Sequence, residues 1–113
     1  DFKWPAFLGF WLWGNLFFTC MAEEAFFRGL IQHRLQQTLV NQSYGAPVSI
    51  AVAALLFGIA HFGGGWQYVL LSTVAGVGYG YVYFKTQRIE SSIMLHFMMN
   101  LTHILFFTYP ARV

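Results

Sequence analysis

Four long apolar runs alternate with short polar connections along this chain. The first extends from Trp4 to about Ile31, the second from Pro47 to Phe62, the third from Trp66 to Phe84 and the fourth from Ser91 to Tyr109. As helices rising ~1.5 Å per residue, each nearly or fully crosses ~30 Å of hydrocarbon. The second is the shortest, and a buried or partly unwound helix is the other reading for it. The connections are His33 to Ala46 (an amphipathic extension and a loop), Gly63-Gly64-Gly65, and Lys85 to Glu90. Pro47 suits the first turn of a helix, and Ser91 or Ser92 can cap the last one. Gly76 and Gly80 form a small-xxx-small pair, a packing signature of helices in lipid. The pattern predicts an all-α polytopic transmembrane bundle of about four helices, a single domain over residues 1–113 without internal repeats.

Composition supports the membrane reading. Of 113 residues, 58% are hydrophobic, 20% aromatic and 9% charged, against about 25% charged in a typical soluble domain. Too few charges remain to cover a solvated surface. The chain starts at Asp1 and both ends are abrupt, which predicts a piece of a longer protein. The apolar N-terminal run exceeds signal-peptide length and has no small-residue cleavage site. One cysteine, Cys20, excludes an intrachain disulfide and a Cys-rich metal site. The net charge of +2 is too small to suggest a nucleic-acid partner. With four spans, Lys3 and Arg112 fall on one side and Arg34, Lys85 and Arg88 on the other. The positive-inside tendency then places the Arg34 side in the cytoplasm.

Against this background the polar residues inside the apolar runs stand out: Glu23, Glu24, Arg28, His61, His96, Asn100 and His103. An intramembrane charge costs roughly 2.5–3.5 kcal/mol on insertion scales. Glu24 and Arg28 are spaced i,i+4 with the acid first, the favourable order for an ion pair. Glu23, about 100° round the helix, is left as the unpaired carboxylate. His96 and Asn100 are also i,i+4, as are Phe57 and His61. Measured from the Arg34 side at 1.5 Å per residue, Glu23 lies roughly 12 Å down, His96 about 8 Å and Asn100 about 14 Å. His61, at about 21 Å from Pro47, is an outlier. It joins the others if the first turn or two of its helix stand above the hydrocarbon.

Groups converging at one depth suggest chemistry. Glu23 and His61 could hold and deprotonate a water, since an apolar cavity disfavours the charged carboxylate and suits it to accept a proton. His96, through a ring N–H, and Asn100, through its amide, could stabilise the oxyanion formed when water attacks a carbonyl. These are the parts of an acyl hydrolase without a covalent nucleophile.

Glu23-Glu24-Ala-Phe-Phe-Arg28, Phe57-Gly-Ile-Ala-His61 and His96-Phe-Met-Met-Asn100 resemble the three motifs EExxxR, FxxxH and HxxxN of the CPBP (Abi) family. That family contains type II CAAX prenyl endopeptidases and bacterial proteins linked to bacteriocin processing and self-immunity. The resemblance spans Glu23 to Asn100 and keeps every fixed position in order. It implies a membrane-embedded glutamate protease with no cofactor and no obligatory metal. Glu23 and His61 would activate water, Glu24 would pair with Arg28 and orient the site, and His96 with Asn100 would form the oxyanion hole. Phe57 would pack beside them. The implied partners are the lipid bilayer and a peptide or lipidated-protein substrate, with a homo-oligomer possible. The implied place is a cell (inner) membrane, with the site nearer its cytoplasmic face.

Other readings stand beside this one. Glu24 and Arg28 alone can be a structural ion pair, and His96 with Asn100 can be interhelical glue. His103 matches no motif and reads as supporting or structural, and Cys20 as packing. Glu23, Glu24, His61 and His96 are also credible zinc ligands, although no HExxH occurs and a zinc site leaves Asn100 without a role. A non-catalytic immunity or scaffold protein, or a proton or ion carrier, could use the same polar cluster.

Overall fold

The structure, a computed structural model, describes residues 8–103. Among these every regular element is helical. Helix α1 covers residues 8–38 and alternates its winding: α-helical Leu8–Gly14, π-helical Asn15–Cys20, α-helical Met21–Glu24, π-helical Ala25–Gln32 and α-helical His33–Thr38. Right-handed helical dihedrals at Gly14, Met21, Ala25 and His33 make it one continuous rod. It ends at Leu39, where ψ turns to 20°.

Helix α2, Gly45–Ile59, begins where the loop packs tightest: a Cβ on Gly45 would sit 3.1 Å from the Leu39 side chain and closer still to its carbonyl oxygen. Pro47 lies in its first turn, as expected. A 3₁₀ turn at Phe62–Gly64 and Gly65, at φ 97°, reverse the chain into α3, Trp66–Thr86. Positive φ is the conformation glycine adopts without steric cost. Gln87, at φ 55°, ends α3 in the left-handed region. Helix α4, Ile89–His103, starts two residues before the expected Ser91, and Ser92 lies inside its first turn, donating to the Ile89 carbonyl at 3.0 Å.

The four helices pack as a bundle. Small residues let the backbones close in: a Cβ on Gly58 would collide with the Thr73 side chain and lie 2.9 Å from the Val69 carbonyl. The expected Gly76/Gly80 pair lies on the face of α3 that meets α1. Its carbonyls accept hydrogen bonds from Arg28 Nη2 (2.6 Å) and Gln32 Nε2 (2.9 Å). Phe27, Phe57 and Tyr79 form the apolar core, joined by Ile31, Ala75 and Leu95.

These contacts also set the levels along the bundle. A Cβ at Gly80 would approach both Gln32 and Ile50, so α1, α2 and α3 meet there. The turns of α2 before Ile50 therefore stand alongside the α1 extension, above that level. Further along the bundle Glu23 and His61 come to one level, their side chains 3.9 Å apart. The Ile89 side chain abuts Gly29, and α4 brings His96 to within 3.5 Å of Glu23. The outlying depth of His61 disappears.

Polarity is partitioned inside out. Glu24, Arg28, Gln32, Ser49 and Ser92 are fully buried, whereas Phe10, Trp13, Phe18, Trp66, Leu71 and Val74 are among the exposed apolar side chains. Among the described residues, no helix is long and apolar enough to cross a membrane. The all-helical bundle of four agrees with expectation, while its helices individually fall short of the expected spans. Two reasons are visible among the described residues: α2 has 15 residues, and α1 carries Glu23, Glu24, Arg28 and Gln32 within its length. Trp4, Lys3, Tyr109 and Arg112, used above for segment ends and orientation, lie outside the described residues, as does the Trp11 side chain.

Candidate active site

Burial of Glu24 and Arg28 together is the foundation of the site. Glu24 Oε1 lies 3.4 Å from Arg28 Nε, with both side chains fully buried. The guanidinium lies against two rings that also meet each other, 5.0 Å from the Phe57 centroid and 5.4 Å from that of Tyr79. The planar, weakly hydrated Arg head suits such an aromatic corner. The other carboxylate oxygen, Oε2, accepts a 2.7 Å hydrogen bond from His96 Nδ1. Glu24 thus joins α1 to α4, an interaction the sequence reading did not anticipate for His96.

With Nδ1 engaged by Glu24, His96 turns Nε2 towards Glu23, whose Oε1 is 3.5 Å away. The other Glu23 oxygen, Oε2, is 3.9 Å from His61 Nε2. His61 Nδ1 is 2.6 Å from the Phe57 carbonyl. A carbonyl only accepts, so Nδ1 carries a proton, which in the singly protonated ring leaves the lone pair at Nε2. The 3.9 Å separation exceeds hydrogen-bond reach and falls within the span of one bridging water.

Glu23, His61, His96 and Asn100 line one cavity of about 520 Å³ between α1, α2, α3 and α4. Of the six expected site residues, these four meet at the cavity, and Glu24 and Arg28 lie behind its wall. Phe57 is at the centre: its ring is 4.6 Å from that of His61 and 5.5 Å from that of His96. Asn100 donates from Nδ2 to Asn15 Oδ1 (3.4 Å) and towards Cys20 Sγ (3.8 Å). Cys20, expected only to pack, also donates its thiol proton to Asn15 Oδ1 at 3.3 Å. His103 is a further lining residue.

Asn15, Thr19, Tyr68 and Tyr79 line the same cavity and escaped the sequence reading. Asn15 and Thr19 precede Glu23 by eight and four residues, a spacing that points to one helical face and could have flagged them. The tyrosines carried no signal in so aromatic a chain. Among the described residues, no three or more His, Cys, Asp or Glu side chains are grouped so as to hold a metal ion.

The family described as "Type II CAAX prenyl endopeptidase Rce1-like" matches residues 5–102. The chain belongs to the Rce1-like family. The match takes in all three motifs read above, and at the level of the family the implied activity is that of a CAAX-type endopeptidase, a protease. Comparisons with curated proteins and with solved structures gave no match. The Rce1-like assignment agrees with the CPBP resemblance drawn from Glu23, Arg28, His61, His96 and Asn100.

Proposed function

We propose that this Rce1-like chain is a membrane-embedded endopeptidase that cleaves a peptide bond with a water activated by Glu23 and His61. The observation that carries the reading is the splitting of Glu23 between two imidazoles, Oε2 facing His61 Nε2 at 3.9 Å and Oε1 facing His96 Nε2 at 3.5 Å, on one cavity wall. Water held between Glu23 and His61 gives up a proton to this pair as its oxygen attacks the scissile carbonyl carbon. The carbonyl electron pair moves onto oxygen, where the Asn100 amide donates to it by releasing its long contact towards Cys20. His96 contributes through Nε2–H, which requires its ring to carry both protons, since Nδ1–H is committed to Glu24. Collapse of the tetrahedral adduct breaks the C–N bond, and the stored proton passes to the leaving amine.

Membrane embedding is supported by the inverted polarity of the bundle. Hydropathy averaged along α1 counts Glu24, Arg28 and Gln32, yet all three are fully buried and withdrawn from the outer surface. What faces outward includes Phe10, Phe18 and Leu71, large apolar side chains of the kind that contact lipid or protein. Arg34 and Arg88 line cavities that share His33 at one end of the bundle, which favours that end as the cytoplasmic one. The substrate is a peptide or lipidated protein reaching the cavity from the membrane.

The test uses purified protein in lipid, with reporter peptides bearing or lacking a prenylated cysteine. Wild type should cleave, and Glu23→Gln and His61→Ala should lose at least about 100-fold in kcat with unchanged circular dichroism. Activity should survive a chelator. Equal cleavage by all three proteins would remove the enzymatic reading in favour of a non-catalytic immunity or scaffold role; loss on chelation would favour zinc.

A further inference from the structure

His96 has two demands on its ring orientation. Nδ1 must meet Glu24 and Nε2 must face Glu23, at 2.7 and 3.5 Å. Both fail if the ring rotates about its terminal torsion, which in histidine is broad and weakly restrained. The Glu24 bond restrains the ring at one edge atom, and a contact on the ring face adds a restraint on its plane that does not depend on that bond.

The fixing element is on α3. The Tyr79 ring lies nearly parallel to His96, with centroids 4.6 Å apart and an interplanar angle of 15°. On the adjacent side Phe57 meets His96 edge-on at 5.5 Å and 84°. Tyr79 is itself immobilised: 3% exposed, edge-on to Phe57 at 5.8 Å, and against the Arg28 guanidinium. It therefore touches both His96 and the cation that pairs with Glu24. The motif residue Phe57 also touches both, but meets His96 edge-on, whereas Tyr79 lays a ring face against it. Stacked aromatic pairs contribute about 0.5–1.5 kcal/mol beyond area burial, enough to select one ring orientation from several.

Building on the catalytic reading above, we propose that Tyr79 is a positioning residue: its ring face clamps the His96 imidazole in the plane that joins Glu24 to Glu23. The clamp needs an aromatic face and no hydroxyl. Tyr79→Phe therefore keeps kcat within about twofold of wild type, while Tyr79→Leu lowers kcat roughly 10- to 100-fold with KM little changed, as expected for misorientation at the reacting centre. A spectroscopic readout tests the stack independently of turnover. In histidine-labelled protein, with the His96 signals assigned through His96→Gln, the Tyr79 ring current places the His96 ring protons upfield of a free histidine. They stay there in Tyr79→Phe and move downfield in Tyr79→Leu.

Unshifted His96 ring protons in folded wild type overturn the proposal, as does a Tyr79→Phe variant as impaired as Tyr79→Leu, which would assign the function to the hydroxyl. The wild-type spectrum decides even if Tyr79→Leu does not fold. Should wild type cleave no peptide while the ring shifts behave as expected, the catalytic reading fails and the clamp stands as a structural device.

Discussion

Replacing Arg28 with Met tests the buried charge cluster on which the site rests. Met fills similar volume without a charge. The change removes the 3.4 Å pairing with Glu24, the 2.6 Å hydrogen bond to the Gly76 carbonyl and the cation lying against Phe57 and Tyr79. Breaking one half of a buried pair costs about 3–5 kcal/mol, because the partner charge is left desolvated. The cation–π contacts add about 0.5–2 kcal/mol, but the same guanidinium makes all of these contacts and the terms do not sum. A loss of about 4 kcal/mol is expected, a large share of a total stability of about 5–15 kcal/mol. The Glu24→Gln/Arg28→Met double variant leaves no charge stranded, and the amide oxygen introduced in place of the carboxylate can still accept from His96 Nδ1. It should be about 2 kcal/mol more stable than Arg28→Met alone. Unfolding by titration with a denaturing detergent, followed by circular dichroism across the four proteins of the cycle, measures both values. Arg28→Met within about 1 kcal/mol of wild type, or a double variant no better than the single, would refute the reasoning.

Two further outcomes follow from the geometry. Asn100→Ala should lower kcat by roughly 100- to 1000-fold with little change in KM, the usual cost of an oxyanion donor, in a reporter-peptide assay. Gly58→Val should destabilise the bundle by about 1–3 kcal/mol in detergent unfolding, because the α2–α3 backbones leave no room for a side chain beside Val69 and Thr73.

The candidate site was legible wherever a polar group interrupts an apolar run, because that contrast costs free energy and therefore carries meaning. Glu23, His61, His96 and Asn100 stood out for this reason, and all four line one cavity. Tyr79 did not: in a chain with six tyrosines and thirteen phenylalanines one more aromatic has no contrast, and its value lies in a contact across to α4. The Asn15–Asn100 bond joins residues 85 apart, beyond any local spacing rule. The Glu24–His96 bond was missed because Glu24 already had a local partner at i+4. Helix count was legible from the apolar runs and helix ends less so: α4 starts at Ile89, while the apolar pattern begins later, at Ser91.

What the periodicity hid most completely is the winding of α1, and it decides which glutamate is buried and which reaches the cavity. On a regular α-helix, residues four apart drift by about 40° per step. Over the row Cys20, Glu24, Arg28, Gln32 that drift would turn the last residue well away from the face that buries the first. Yet all four are fully buried. The π-helical stretch Ala25–Gln32 resolves this, because i→i+5 bonding takes more than four residues per turn and offsets the α-helical drift. The i,i+4 row stays on one face and presents Arg28 and Gln32 to the Gly76 and Gly80 carbonyls. One residue earlier, Thr19 and Glu23 form a parallel row whose side chains line the cavity. Two adjacent, chemically identical residues are thereby separated. Glu24 is fully buried, both of its oxygens directed at Arg28 and His96, whereas Glu23 keeps 31% of its side chain accessible. Glu23 therefore keeps an approach for water that Glu24 lacks, which is the reason the proposed mechanism gives the water-activating role to Glu23 and leaves Glu24 to orient His96 and balance Arg28.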